Sequence, residues 1–145
     1  REALNSIGGF DERFELYGWE DLDLGLRLTR AGGRLRFDPL ARAIHDHPGM
    51  TREALWKRER EMGWTAWQFY EKWHAEAADD IAWMKFWDHA ADLQPGPAWR
   101  LTAGQMLIAL LDWIAPASGL NARLYERMIY ACRLRGVAEA CRRFR

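Results

Sequence analysis

Two cysteines in 145 residues, Cys132 and Cys141, are too few for a disulfide framework and are not spaced as metal ligands. Two reduced thiols in a cytoplasmic protein fit that usage. Long apolar runs are also missing. The uninterrupted stretch Met106–Leu111 is far below the ~20 residues that a membrane-spanning helix requires. There is no low-complexity segment and no internal repeat, no signal peptide is expected, and 145 residues make one modest domain or part of a larger one. Residue 1 is arginine rather than methionine, and REALNSIGG reads as the continuation of a helix already begun, so the expectation is a fragment of a longer chain. Net charge is absent, with 21 basic and 21 acidic residues, but the balance is uneven. Residues 123–145 hold seven arginines against Glu126 and Glu139, while the remainder is acidic in excess. Such an end suits lipid head groups before nucleic acid, although a solvated helix face is the commoner outcome. What the chain has in excess is tryptophan, nine in all, a residue that stacks on sugars and also sits well at membrane interfaces.

The stretch YGWEDLDLGLRL, Tyr17–Leu28, concentrates chemistry. Glu20, Asp21 and Asp23 fall in the first turn of an expected helix over 20–31, where carboxylates suit the positive end of the macrodipole. Ordinary helix-start acids explain part of this pattern. Gly18 and the aromatic pair Tyr17 and Trp19 stand before the acids, however, and Gly25 follows one turn after Asp21. A glycine inside a helix costs roughly 0.5–1 kcal/mol relative to alanine, which implies a use for the space beside Asp21. An apolar surface, a glycine gap and clustered carboxylates together describe a polyol-binding site. Trp19 is then either a stacking platform beneath a sugar ring or a packing residue, and Asp23 points away from Asp21 and reads as structural.

Around this helix the pattern predicts a short helix over 2–7 ended by Gly8-Gly9, and a loop anchored by Phe10 and Phe14 with Asp11 and Glu12 facing outward. Strands are expected over 34–37 and 40–46, separated by a turn at Asp38-Pro39. In the second strand His45 and His47 share a face, so both imidazoles could approach one metal ion. H-x-H alone is a weak signal. Beyond Pro48-Gly49, Thr51 is the expected N-cap of a helix over 52–74. Further helices are expected over 79–93 and 99–114, with a linker at 94–97 between them. The last helix, after Gly119, is expected to break at Gly136. His74 and His89 read as surface or packing residues.

GGFDERF at 8–14, YGWEDLDLGLRL and then AGGRLRFDP together resemble the acceptor half of a family 2 glycosyltransferase of GT-A fold, and are similar to the C-terminal domain of galactosyltransferase-type enzymes. The resemblance covers roughly residues 1–48. It implies an α/β fragment of a GT-A (Rossmann-like) catalytic domain, followed over 51–145 by a mainly α-helical extension. It further implies Asp21 as catalytic base, Glu20 as the acid that hydrogen-bonds the acceptor sugar, and Gly18 and Trp19 beside it in substrate binding. A histidine after the second strand, His45 or His47 with His45 favoured, would complete a divalent metal site for Mn or Mg. The partners implied are a nucleotide-sugar donor and a glycan or lipid-linked acceptor, with peripheral contact at the inner face of a membrane and no nucleic acid. The nucleotide-binding half, with its Asp-x-Asp motif in the right context, is not in this sequence, so the chain alone is expected to be inactive.

Two other readings compete. A non-catalytic helical module binding an anionic membrane or a protein would use the tryptophans and the basic end, but has no need of a carboxylate trio. A metal-dependent hydrolase would need three or more converging metal ligands. Arg123, Arg127, Arg135 and Arg142 are expected on one exposed face if the membrane contact exists.

Overall fold

Local punctuation sets most of the helix ends. The computed structural model describes residues 1–44, 46, 49–77, 98–114 and 119–144. Helix α1, Glu2–Ser6, stops at Gly8-Gly9, where the Gly9 N–H donates to Leu4 O at 3.0 Å. Helix α2, Glu20–Arg30, stops at Gly32-Gly33, with the Gly33 N–H donating to Leu28 O at 2.9 Å. Helix α3, Arg52–Ala77, starts where Thr51 Oγ1 accepts from the Ala54 N–H at 3.2 Å, the N-cap its sequence calls for. Helices α4, Ala98–Ile114, and α5, Gly119–Phe144, complete the described chain. The helix expected over 79–93 and the linker at 94–97 lie outside the described residues.

The core sits between α3 and α5, which run side by side in the same direction. Trp56 of α3 packs with Met128 and Cys132 of α5 and with Ile108 of α4. Further along, Trp67 of α3 packs with Val137, Ala140 and Cys141. Both cysteines are free and buried, and burial pushes the Cys132 thiol above its ordinary pKa. A third cluster, Phe69 and Trp73 of α3 with Phe14, Trp19 and Leu26, joins α3 to the segment around α2.

The α/β expectation is overturned. Among the described residues there is no strand, and α-helix is the only long regular structure. A strand exists only when its backbone N–H and C=O groups have a partner ladder. Residues 34–37 and 40–44 alternate as strands should, yet no described segment pairs with them. Phe37 and Ile44 are instead 93% and 97% exposed. Only the turn at Asp38 forms, its Oδ1 accepting from the Leu40 N–H at 2.9 Å.

Gly136 does not break α5. It lies where α5 crosses α3, and a Cβ there would fall 1.9 Å from Arg60 O; one on Gly63 would fall 2.0 Å from Arg133 O. The two backbones touch because neither residue has a side chain. Arg60 Nε donates to Glu139 at 2.6 Å, and Arg133 Nε to the buried Glu59, on either side of the contact. Gly136→Ala gains intrinsic helix propensity but forces the helices apart, for a net loss of about 1–3 kcal/mol. Urea unfolding measures it, and an unchanged midpoint would contradict so close a crossing.

The arginines of α5 do not form one free face. Arg123, Arg127 and Arg142 are exposed, but Arg135 Nε donates to Glu139 at 3.0 Å and is half-buried. Among the described residues no helix is long and apolar enough to cross a membrane. Helix α4 does expose Trp99, Met106, Leu110 and Trp113 along one side.

Candidate functional site: the acidic turn of helix α2

Two consecutive residues with positive φ deliver the chain into α2. Gly18 has φ 103°, and the next residue, Trp19, occupies the left-handed region at φ 74°, ψ −11° as the N-cap. For a non-glycine residue that conformation costs on the order of 1–3 kcal/mol. Contacts with α3 hold it. The Trp19 indole N–H donates to Met62 O at 3.0 Å, and its ring lies 5.5 Å from that of Phe69. Thr65 Oγ1, fully buried, lies 3.0 Å from both Tyr17 O and Glu61 O, and its one hydroxyl proton is shared between these acceptors. A Cβ on Gly18 would come 3.2 Å from Met62 Cγ, so the close approach of this turn to α3 also favours glycine.

The three acids of the first turn then part company. Asp21 is exposed, with Oδ1 accepting from the Leu22 N–H at 2.8 Å. Glu20 is half-buried, and its Oε2 is buried without a hydrogen-bond partner. Asp23 turns inward and is 0% exposed. Its Oδ2 accepts from Arg27 Nε at 2.8 Å; its Oδ1 accepts from the Trp73 indole N–H at 2.8 Å and faces Lys72 Nζ at 2.5 Å. Arg27 reaches on to Ile7 O at 2.9 Å. Asp23 is therefore the anchor of α2, and Asp21 is the carboxylate left facing solvent.

Lys72 extends this network to the loop, with Nζ 2.6 Å from Asp11 Oδ2. Asp11, expected to face outward, is turned in, and Phe10, expected as an anchor, is 55% exposed. Phe14 alone of the pair packs on the core. Composition of the loop gave no sign of this, because the partner lies 61 residues away. Gly25 is not crowded either: an added Cβ would make ordinary contact with Leu35 at 3.4 Å.

The Arg13 guanidinium, bonded to Asp11, and the Lys72 ammonium hold the Asp11 carboxyl well below its ordinary pKa. A depressed folded-state pKa contributes stability that is present above the unfolded value near 3.9 and is lost as pH falls through the folded one. Thermal melts between about pH 4 and pH 2 should show the native protein losing stability more steeply than Asp11→Asn. Parallel acid limbs would contradict the assignment.

His45 and His47 lie outside the described residues, and no group of three metal-ligating side chains converges among the described ones. The residues described do not by themselves assemble a metal site. His74 is an exposed α3 residue stacked on Tyr70 at 4.9 Å.

Residues 1–48 match the family model described as the N-terminal domain of galactosyltransferase. A pre-mycofactocin glycosyltransferase of Mycobacterium tuberculosis is 45% identical over 51 residues, 35% of this chain and 10% of that protein. The O-antigen biosynthesis protein RfbC of Myxococcus xanthus is 38% identical over 79 residues, 54% of this chain and 6% of that protein. An N-acetylglucosaminyl-diphospho-decaprenol L-rhamnosyltransferase of Mycobacterium tuberculosis is 47% identical over 45 residues, 31% of this chain and 14% of that protein. The chain thus spans about a tenth of the length of the curated relatives it matches, and no solved structure matches it. Residues 1–48, which include the acidic turn of α2, are thus similar to a segment of glycosyltransferases.

Proposed function

We propose that this chain is part of an enzyme that transfers a sugar from a nucleotide-diphosphate donor to a hydroxyl of a glycan or lipid-linked acceptor, with inversion at the anomeric carbon. The observation that carries this reading is the division of labour in one helical turn. Asp23 is locked into the fold, while Asp21, two residues earlier, is held exposed on a turn pinned to α3. Asp21 takes the proton of the acceptor hydroxyl as that oxygen attacks. Positioning dominates this step, because the proton leaves only as attack proceeds. Glu20, with an oxygen lacking a protein donor, accepts from a neighbouring acceptor hydroxyl. Gly18 and Trp19 precede these acids in the same turn and complete the acceptor side of the proposal.

A divalent ion, Mn or Mg, belongs to this proposal with His45 or His47 as its ligand, and would supply positive charge to the leaving diphosphate. Donor selection lies with residues outside this chain. Full-length protein incubated with labelled nucleotide-diphosphate sugars and hydroxyl acceptors tests the reading, with chelation and metal re-addition as separate arms. Transfer with inverted anomeric configuration, seen by NMR, is the expected result. A folded protein that transfers none of the sugars would overturn it, and full activity after chelation would remove the metal.

A further inference from the structure

A cleft of about 740 Å³ is walled on one side by the loop that leads into the acidic turn. Its floor is a stripe of α3, Trp64, Gln68 and Glu71, which the helical repeat puts on one side. One wall is the loop through Phe14 and Leu16, and the other is the end of α5. That volume is in the range of small-molecule sites.

Three features define what would fit. The first is an aromatic corner: the rings of Trp64 and Phe144 meet edge-on, centroids 5.9 Å apart at 62°. The second is an unfilled acceptor. Gln68 Nε2 donates to Arg13 O at 3.3 Å, yet its Oε1 is buried with no partner. A buried carbonyl oxygen without a donor costs about 1–3 kcal/mol, so a ligand hydroxyl that supplied one would be well received. The third is charge balance. Asp11, Glu15 and Glu71 border the cleft together with Arg13, Lys72 and Arg143, three acids against three bases, with Asp11 paired to both Arg13 and Lys72. A cleft with this mixture has no net field for a polyanion, which disfavours a nucleotide phosphate. Aromatic faces beside planar amide, carboxylate and guanidinium groups are complementary to the C–H faces and hydroxyls of a pyranose.

We propose that this cleft binds a neutral saccharide, a sugar unit of the acceptor remote from the reacting hydroxyl. The role as acceptor rests on the transferase reading; the binding itself does not. The loop that walls the cleft continues into Tyr17, whose carbonyl is fixed by Thr65, and then into Glu20 and Asp21. Sugar bound here touches the segment that presents the acids, and binding energy gained away from the reacting centre serves its orientation.

Saturation-transfer NMR and calorimetry on full-length protein test this with neutral disaccharides of glucose, galactose, N-acetylglucosamine and rhamnose. At least one should bind in the millimolar range or tighter. Gln68→Leu should weaken it about tenfold, the value of one hydrogen bond to a buried acceptor. Phe144→Ala should weaken it too, with unchanged melting curves for both variants. Asp21→Asn should leave this binding intact, so saccharide binding in a protein that transfers no sugar would uphold the cleft and overturn only the transferase reading. No binding by any disaccharide, binding indifferent to Gln68→Leu, or displacement of the saccharide from the cleft by UDP would each overturn the proposal.

Discussion

Asp21→Asn in the full-length enzyme is expected to lower turnover on the order of 10²–10⁴-fold, the worth of a positioned general base. Asparagine keeps the shape of the side chain and can still accept from the Leu22 N–H, so the helix start is preserved. It cannot take the acceptor proton, and the loss therefore falls on the chemical step. Affinity for the nucleotide-sugar should stay close to that of the native enzyme, measured separately by calorimetry. Since Asp21 is exposed, the substitution has little to disturb in the core. Glu20→Gln is the contrasting case: it alters a ground-state contact with the acceptor, so KM for acceptor should rise along with a fall in kcat. Near-normal turnover in Asp21→Asn would show the base to be elsewhere, with Glu20 the next candidate.

Asp23→Ala is expected to cost about 3–5 kcal/mol of stability, the range for removing one member of a buried charge network. The carboxylate is fully buried and takes hydrogen bonds from Arg27 and Trp73 as well as facing Lys72. Without it, a buried indole N–H loses its acceptor and the ammonium keeps only Asp11. Against the roughly 5–15 kcal/mol of a typical domain, that loss is severe. It should also loosen the first turn of α2, because Asp23 ties that turn to Lys72 and Trp73 near the C-terminal end of α3. Denaturant unfolding gives the magnitude, and amide exchange over 20–30 shows where the loosening falls. A loss below about 1 kcal/mol would mean that the network is no better than an exposed ion pair.

The two substitutions lie two residues apart in one helical turn, and sequence separates them only by direction. Both acids fit the macrodipole, and a helical projection turns Asp23 away from Asp21. It does not say what Asp23 meets. Lys72 and Trp73, 49 and 50 residues along the chain, answer that, and the loop acid Asp11 is drawn in by the same lysine. Nothing near Asp11 in the sequence announces it. Both faces of the loop 10–14 offer an aromatic anchor, and packing on Phe69 and Trp73 chose Phe14 over Phe10.

Helix existence and helix ends were legible from sequence because they depend on neighbours a few residues away. Gly8-Gly9, Gly32-Gly33 and the Thr51 cap act through hydrogen bonds that span at most five residues. The motif of Gly18 to Asp21 was legible for the same reason: its order of residue types is local. Strand formation was not, because alternation at 34–44 specifies a face and a ladder must still be found elsewhere. Nor was Gly136, where a local rule predicts weakness and a second helix backbone at contact distance turns the missing side chain into a requirement. Which acid faces solvent, which glycine is a crossing and which extended segment pairs are properties of groups far apart in sequence. Tertiary structure alone decides these, because burial and long-range hydrogen bonding are energies of the packed chain.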